Sequence, residues 1–223
     1  MSFILTGTDT NIGKTVAAAM LVQGLGYNYW KPFQSGIEDG GVDTRRVQKM
    51  TDLPDERFLS EKYVLSEPLS PHLAAEIDGV SIDMDDLGIP PSDRPLIIEG
   101  AGGLMVPLTR KNLLINQFKQ WGLPVILCAR TALGTINHTL LSIEALWARD
   151  IPIHGLIFIG ETNHDNMMTI LEFSGEKVLG HIPLLDELNA QSLQDVFERN
   201  FRKDDFTLSR LSDRSVSEVE ETP

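Results

Sequence analysis

The run Gly7-Thr8-Asp9-Thr10-Asn11-Ile12-Gly13-Lys14-Thr15 constrains the fold more than any other part of this 223-residue chain. It follows an apolar stretch, Phe3–Thr6, that reads as a strand, and it opens a helical stretch over Lys14–Gly24. A strand–loop–helix unit with glycine, lysine and a hydroxyl at the turn is the setting of a phosphate-binding loop. Backbone N–H groups around Gly13 can converge on phosphate oxygens at the helix N-terminus, where the helix dipole also favours anions. Lys14, expected to face solvent beside phosphate, brings a cation to the β- and γ-phosphates, and Thr15 offers a hydroxyl to Mg²⁺. Five residues separate Gly7 from Gly13, against four in the usual pattern, and Thr8 stands at the first-glycine position.

The rest of the chain repeats this alternation. Strands are expected at Phe3–Thr6, Tyr27–Pro32, Leu96–Glu99, Val125–Ala129, Ile153–Ile159 and Val178–Ile182, and several are apolar without alternation. That pattern suits strands covered by helices on both faces. Helices are expected at Lys14–Gly24, Val42–Met50, Asn112–Trp121, Thr135–Arg149 and Met167–Phe173, with Ile136, Leu140, Ile143, Leu146 and Trp147 at helical spacing. The fold class is therefore α/β, a doubly wound and mostly parallel sheet of the P-loop NTPase type. Residues 51–94 carry five prolines and many carboxylates and read as an insertion of loops and short helices. A single domain over residues 1–205 is expected, followed by an acidic, disordered tail over 206–223.

Charge narrows the function classes. Lys and Arg number 19 against 32 Asp and Glu, a formal net charge of −13. Neutralising nucleic-acid phosphates needs a basic face, and so does docking on anionic lipid, so neither partner is expected. The apolar runs fall far short of the roughly 20 residues needed to span a bilayer. The first residues show no signal-peptide pattern, and a cytoplasmic protein is expected. One cysteine, Cys128, excludes an internal disulfide and a cysteine-built zinc site, and its apolar strand makes it inert.

A phosphate-binding loop names a nucleotide but not a reaction. Lys31 and Ser35, in Lys31-Pro32-Phe33-Gln34-Ser35-Gly36, follow the second strand, and ligands gather at the carboxyl ends of strands in such sheets. Asp43 opens the next helix, as an N-terminal cap or as a ligand. Glu99-Gly100-Ala101-Gly102-Gly103 ends a further strand with a carboxylate and a glycine-rich turn, which suits a metal or metal-water ligand beside a closely approached ligand. His154, His164 and His181 show no metal-ligand spacing, and Trp30, Trp121 and Trp147 read as core or interface aromatics.

These pieces, with Ser70-Pro71-His72 and Leu133-Gly134-Thr135-Ile136-Asn137-His138, occur in an order that resembles the dethiobiotin synthetase family over residues 2–190. The extended loop spacing is the family's own form. The resemblance implies a ligase: 7,8-diaminononanoate, CO₂ and ATP give dethiobiotin, ADP and phosphate through a carbamate and a carbamic–phosphoric anhydride, in biotin biosynthesis. It implies Lys14 and Lys31 as catalytic cations. Thr15, Asp43 and Glu99 would hold Mg²⁺, and Thr10, Ser35, Gly102, Gly103 and Asn137 would position the diamine. Nucleotide contacts would come from Asn11, Ile12, Gly13, Lys14, Thr15 and Val16, from Asp43, Glu99, Gly100, Ala101 and Gly102, and from Ile159, Gly160, Pro183, Leu184 and Leu185. A homodimer is implied, although Met167 or Met168 stands where some relatives present a tyrosine to the neighbouring site. Ile159-Gly160 likewise stands where relatives often place a base-reading asparagine, so loose base selectivity is expected, with Asn163 the nearby amide able to replace it. Three rivals compete. A partitioning-type ATPase usually has a second lysine early in the loop, where Thr8, Asp9 and Thr10 stand here. A cobyrinic acid amidotransferase needs a glutaminase domain and a nucleophilic cysteine, which this chain lacks. A nucleotide-binding module without catalysis would show no diamine-dependent phosphate release.

Overall fold

The computed structural model describes residues 1–37 and 41–207. The strands among them are β1 (Phe3–Gly7), β2 (Asn28–Trp30), β3 (Phe33–Ser35), β4 (Phe58–Leu59), β5 (Tyr63–Leu65), β6 (Leu96–Gly103), β7 (Val125–Arg130), β8 (Ile153–Ile159) and β9 (Val178–Ile182). Seven of them form one parallel sheet in the order β4-β2-β6-β1-β7-β8-β9, while β3 and β5 pair separately. From β1 the chain winds outward in one direction through β2 and later in the other through β7. The carboxyl end of β1 is thus a topological switch point, where open sheets of this kind bind ligands.

The lack of alternation in β1 has its explanation in two helical layers. Phe3 and Leu5 pack with α1 (Lys14–Leu25) and α7 (Ala190–Asn200), whereas Ile4 packs with α4 (Leu114–Trp121). Ala17, Ala18 and Ala19 are fully buried and let α1 lie close on the sheet. α2 (Asp43–Met50) buries Val47 on the same layer. On the opposite face α5 (Thr135–Trp147) and α6 (His164–Ser174) bury Ile143 and Ile170 against β7 and β8. α3 (Pro71–Asp78) covers the β3–β5 pair with Ala74 and Ala75.

Several boundaries differ from the sequence reading. The strand expected over Tyr27–Pro32 ends at Trp30, because Pro32 has no N–H to donate; its carbonyl instead accepts from Lys62 and Tyr63, starting the small second sheet. Residues 51–94 hold β4, β5 and α3 in addition to loops. α7 was not expected; Asn189 and Ser192 form a capping box, and Leu193, Val196 and Phe197 give it one buried stripe. Phe206, assigned to the acidic tail, is buried, with its ring 6.0 Å from Phe3 and 6.4 Å from Phe197. Packing therefore continues to at least Phe206, and residues 208–223 of the expected tail lie outside the described residues.

Candidate active site

β1 delivers the glycine loop to the switch point. Thr8 N–H donates to the Cys128 carbonyl at 3.0 Å, which ties the loop's start to β7. Asn11 and Gly13 take positive φ values of 55° and 98°. Gly13 is the N-cap of α1, and a Cβ there would come within 3.0 Å of Ile159 Cγ2. A side chain at this position is therefore strained by the backbone conformation and would need Ile159 to give way by a few tenths of an ångström. Lys14 is only 6% exposed, which corrects the solvent-facing expectation. Its Nζ donates to the Asp9 carbonyl at 2.8 Å, and burial pulls its pKa below the ordinary lysine value.

Glu99 is the hub. Successive side chains of a strand point to opposite faces, so Tyr29 and Lys31 share a face, as do Ile97 and Glu99. Pairing of Tyr29 with Ile97 and of Trp30 with Ile98 brings Lys31 beside Glu99, below the start of α1. Glu99 Oε1 accepts from Lys31 Nζ at 3.0 Å and from Thr15 Oγ1 at 3.1 Å, while Oε2 accepts from the Tyr29 hydroxyl at 2.9 Å. Lys31 Nζ also donates to Asp43 Oδ2, and Asp43 Oδ1 receives Arg46 at 3.3 Å. Glu99 is 1% exposed and Lys31 6%. Burial alone would lower the Lys31 pKa, but the charges of Glu99 and Asp43 and their hydrogen bonds outweigh it and raise the value. Burial, reinforced by Glu99, holds the Tyr29 phenol well above its ordinary pKa.

A cavity of about 650 Å³ opens onto this cluster, large enough for a small-molecule substrate. Thr10 through Val16, Lys31, Ser35, Asp43, Glu99, Ala101 and Gly102 line it. The Ser35 hydroxyl oxygen is buried beside it without a hydrogen-bond partner among the described residues, so an incoming polar group would satisfy it. A second cavity, also about 650 Å³, brings Asn11, Ile12, Gly13 and Val16 together with Ile159, Gly160, Pro183, Leu184 and Leu185. Gly103 lines a third space of about 430 Å³ with Thr8, Asp9, Thr10 and His138. Two expected site residues stand apart. Gly100 faces Phe118 and Thr6 inside the fold, and Asn137 is exposed on the first turn of α5, outside these three cavities.

Tyr29, Gln34 and Arg46 belong to the cluster although no local pattern singles them out. Gln34 Oε1 accepts the Asp43 N–H at 3.1 Å, and its amide donates to the Gly36 carbonyl at 2.8 Å, fixing the entry to α2. Cys128 is buried, and burial pushes its thiol up to about 12, so it stays a neutral thiol as expected. Among the described residues no group of three or more His, Cys, Asp and Glu gathers as a metal cage. Two carboxylates and one hydroxyl converging beside a phosphate loop nevertheless suit Mg²⁺, which takes hard oxygen ligands and keeps water and substrate phosphates among them.

A family model described as an AAA domain matches residues 1–192. The chain is 53% identical over 203 residues to an ATP-dependent dethiobiotin synthetase BioD from Rhodopseudomonas palustris strain TIE-1, covering 91% of this chain and 95% of that one. The chain belongs to the dethiobiotin synthetase family. A second synthetase, from Brucella ovis, is 52% identical over 203 residues with the same coverage, 91% of this chain and 95% of that protein. The family's fold extends to more distant proteins. A ParA family ATPase from Chlorobium tepidum superposes with a TM-score of 0.50 at 10% identity, covering 89% of this chain and 92% of that one. At that identity the likeness shows the shared α/β P-loop architecture alone. No described helix is long and apolar enough to cross a membrane.

Proposed function

We propose that the chain makes dethiobiotin from 7,8-diaminononanoate, CO₂ and ATP, and that it does so in the cavity over Glu99 and Lys31. The observation that carries this reading is the pairing of two buried ammonium groups, Lys14 and Lys31, around one cavity at the N-terminus of α1. A partitioning-type switch usually takes its second lysine from the start of the phosphate loop, whereas here it follows β2. The second suits a reaction in which an anionic nucleophile must approach an anionic phosphate.

CO₂ adds to one amine of the diamine, which loses a proton and becomes a carbamate. A carbamate oxygen attacks the γ-phosphorus, the bond to the β-phosphate oxygen breaks, and ADP leaves. The second amine then attacks the carbamoyl carbon of the mixed anhydride, and phosphate departs as the ureido ring closes. Lys31 neutralises the carbamate and the transferring phosphoryl group, and Lys14 together with the α1 N-terminus neutralises the β- and γ-phosphates. Ser35, Thr10 and the Gly102–Gly103 backbone orient the diamine. Mg²⁺, when bound, would be held by Thr15, Asp43 and Glu99 and would neutralise phosphate charge during transfer. The second cavity takes the nucleoside.

The working unit is assigned as a homodimer in the cytoplasm. Asn137 is exposed beside Leu133 and Leu141, both exposed apolar residues, which suits a surface shared with a second copy whose diamine it would contact. A coupled assay for ADP release, run with and without diamine plus bicarbonate, tests the chemistry. ADP release that requires the diamine and yields dethiobiotin is expected; diamine-independent hydrolysis would leave a switch ATPase instead. Sedimentation of a fully active monomer at assay concentration would remove the dimer.

A further inference from the structure

The proposed chemistry uses Glu99 through Oε1, which faces Thr15 and Lys31. Its other oxygen, Oε2, is engaged by a residue for which that chemistry has no use: the Tyr29 hydroxyl donates to it at 2.9 Å from the middle of β2. Tyr29 is fully buried and packs its ring 6.4 Å from Phe58. Phenylalanine would serve that packing equally well. The hydroxyl has a different consequence. The carboxylate plane of a glutamate turns about a terminal torsion that is broad and roughly two-fold, so the rotamer of Glu99 does not by itself fix where each oxygen points. A donor on Oε2 that is rigid, because its ring is locked in the core, does fix it. Lys31 cannot do this, since it shares Oε1 with Thr15 and also bonds Asp43.

We infer that Tyr29 is a positioning residue of the phosphoryl-transfer site, holding the Glu99 carboxylate by Oε2 so that Oε1 stays directed at Thr15 and the metal–phosphate position. This rests on the reading of Thr15, Asp43 and Glu99 as the Mg²⁺ site. Tyr29 does not touch substrate or the reacting atoms. It acts through Glu99 alone.

The test is calorimetric titration of the intact protein with the β,γ-methylene analogue of ATP, with and without Mg²⁺, for the parent chain and for Tyr29→Phe. The parent is expected to bind the analogue about tenfold or more tightly with Mg²⁺ than without. In Tyr29→Phe that gain should shrink at least threefold, with metal-free affinity unchanged, because a hydrogen bond to a charged group is lost. In the assay, kcat should fall about three- to tenfold while the KM for the diamine stays put. Phe58→Leu, which disturbs the ring packing and keeps the hydroxyl, should lower Tm and leave the Mg²⁺ gain intact. Tyr29→Met, a flexible filler of the same space, gives the same reading if the phenylalanine variant folds poorly. An equal Mg²⁺ gain in parent and hydroxyl-less variants overturns the positioning role alone. Absence of any gain in the parent overturns the metal-site reading, and the role of Tyr29 with it.

Discussion

Lys31 and Glu99 stand 68 residues apart in the chain and 3.0 Å apart in the fold, both nearly inaccessible to water. A buried ion pair is a poor source of stability, because the desolvation of two charges offsets most of their attraction. Its presence at the mouth of a phosphate loop is better explained by function. Asp43 and Glu99 keep the Lys31 ammonium charged, ready for the anionic ligand of the proposed chemistry.

Lys31→Gln should remove the cation that Asp43 and Glu99 share, leaving Asp43 its contact with Arg46. Loss of transition-state charge stabilisation of this kind reduces kcat by about 10²- to 10³-fold. Nucleotide affinity should change far less. Steady-state kinetics at saturating ATP decides the matter: unchanged kcat with a raised KM for ATP would make Lys31 a binding residue only.

Lys14→Ala should abolish diamine-dependent ADP release and leave the chain folded. The Lys14 ammonium makes its hydrogen bond to a loop carbonyl, not to the core, and the apolar contacts of α1 come from Ala17 to Leu25. Circular dichroism of the variant should match the parent. Normal turnover by this folded variant would refute the assignment.

Base selectivity should be loose. In the second cavity two candidate readers of a base edge, the Asn163 side-chain oxygen and the Gly160 backbone, are already engaged. Asn163, the amide expected as a substitute reader, instead caps α6 by accepting from Asn166 N–H at 3.0 Å. The Gly160 N–H donates to the Ile182 carbonyl at 3.0 Å, and the Gly160 carbonyl meets His181 Nε2 at 2.7 Å. A Cβ at Gly160 would lie 2.7 Å from Thr131 Oγ1 at a φ of 126°, so an amide-bearing residue does not fit there. Loss of one hydrogen-bonded discriminator gives up about 1–3 kcal/mol, roughly five- to 150-fold in selectivity. Measurable turnover with GTP or CTP is expected when kcat/KM is compared across the four nucleoside triphosphates. A lead for ATP of more than about a thousandfold would contradict it.

Stability should fall in mild acid through His154. Its Nε2 meets the Asp205 carbonyl at 2.8 Å, and its ring lies 4.4 Å from Phe3 and 5.9 Å from Phe206. Burial lowers its pKa below the ordinary 6.5. The unfolded chain therefore takes up the proton first, so the contribution of His154 is complete above pH 6.5 and is lost as pH falls toward the lower folded value. His154→Gln keeps a donor near the Nε2 position without titrating. Its Tm should drop less than the parent's between pH 7.5 and 5.5, and equal slopes would assign the acid sensitivity elsewhere.

Local chemistry made much of this protein legible in one dimension. The phosphate loop is contiguous, so Gly13, Lys14 and Thr15 announce it without help from the rest of the chain. Apolar strands that fail to alternate demand cover on both faces, and that requirement alone yields the parallel α/β class. The order of the sheet is a different matter. Glu99 meets Thr15 across 84 residues and Lys31 across 68 because β6 sits between β1 and β2, a placement that no local pattern encodes. Tyr29 reads as one more core aromatic until that placement puts its hydroxyl on Glu99. Phe206 reads as the head of an acidic tail until Phe3, His154 and Phe197 surround it. α7 carries its own capping signal, yet its stripe of Leu193, Val196 and Phe197 gains meaning only against α1 and the sheet. Contiguous residues fix backbone conformation and local ligand chemistry, because those interactions close over a few bonds. Convergence of distant side chains on one carboxylate depends on strand order and register, which the burial of the whole core selects.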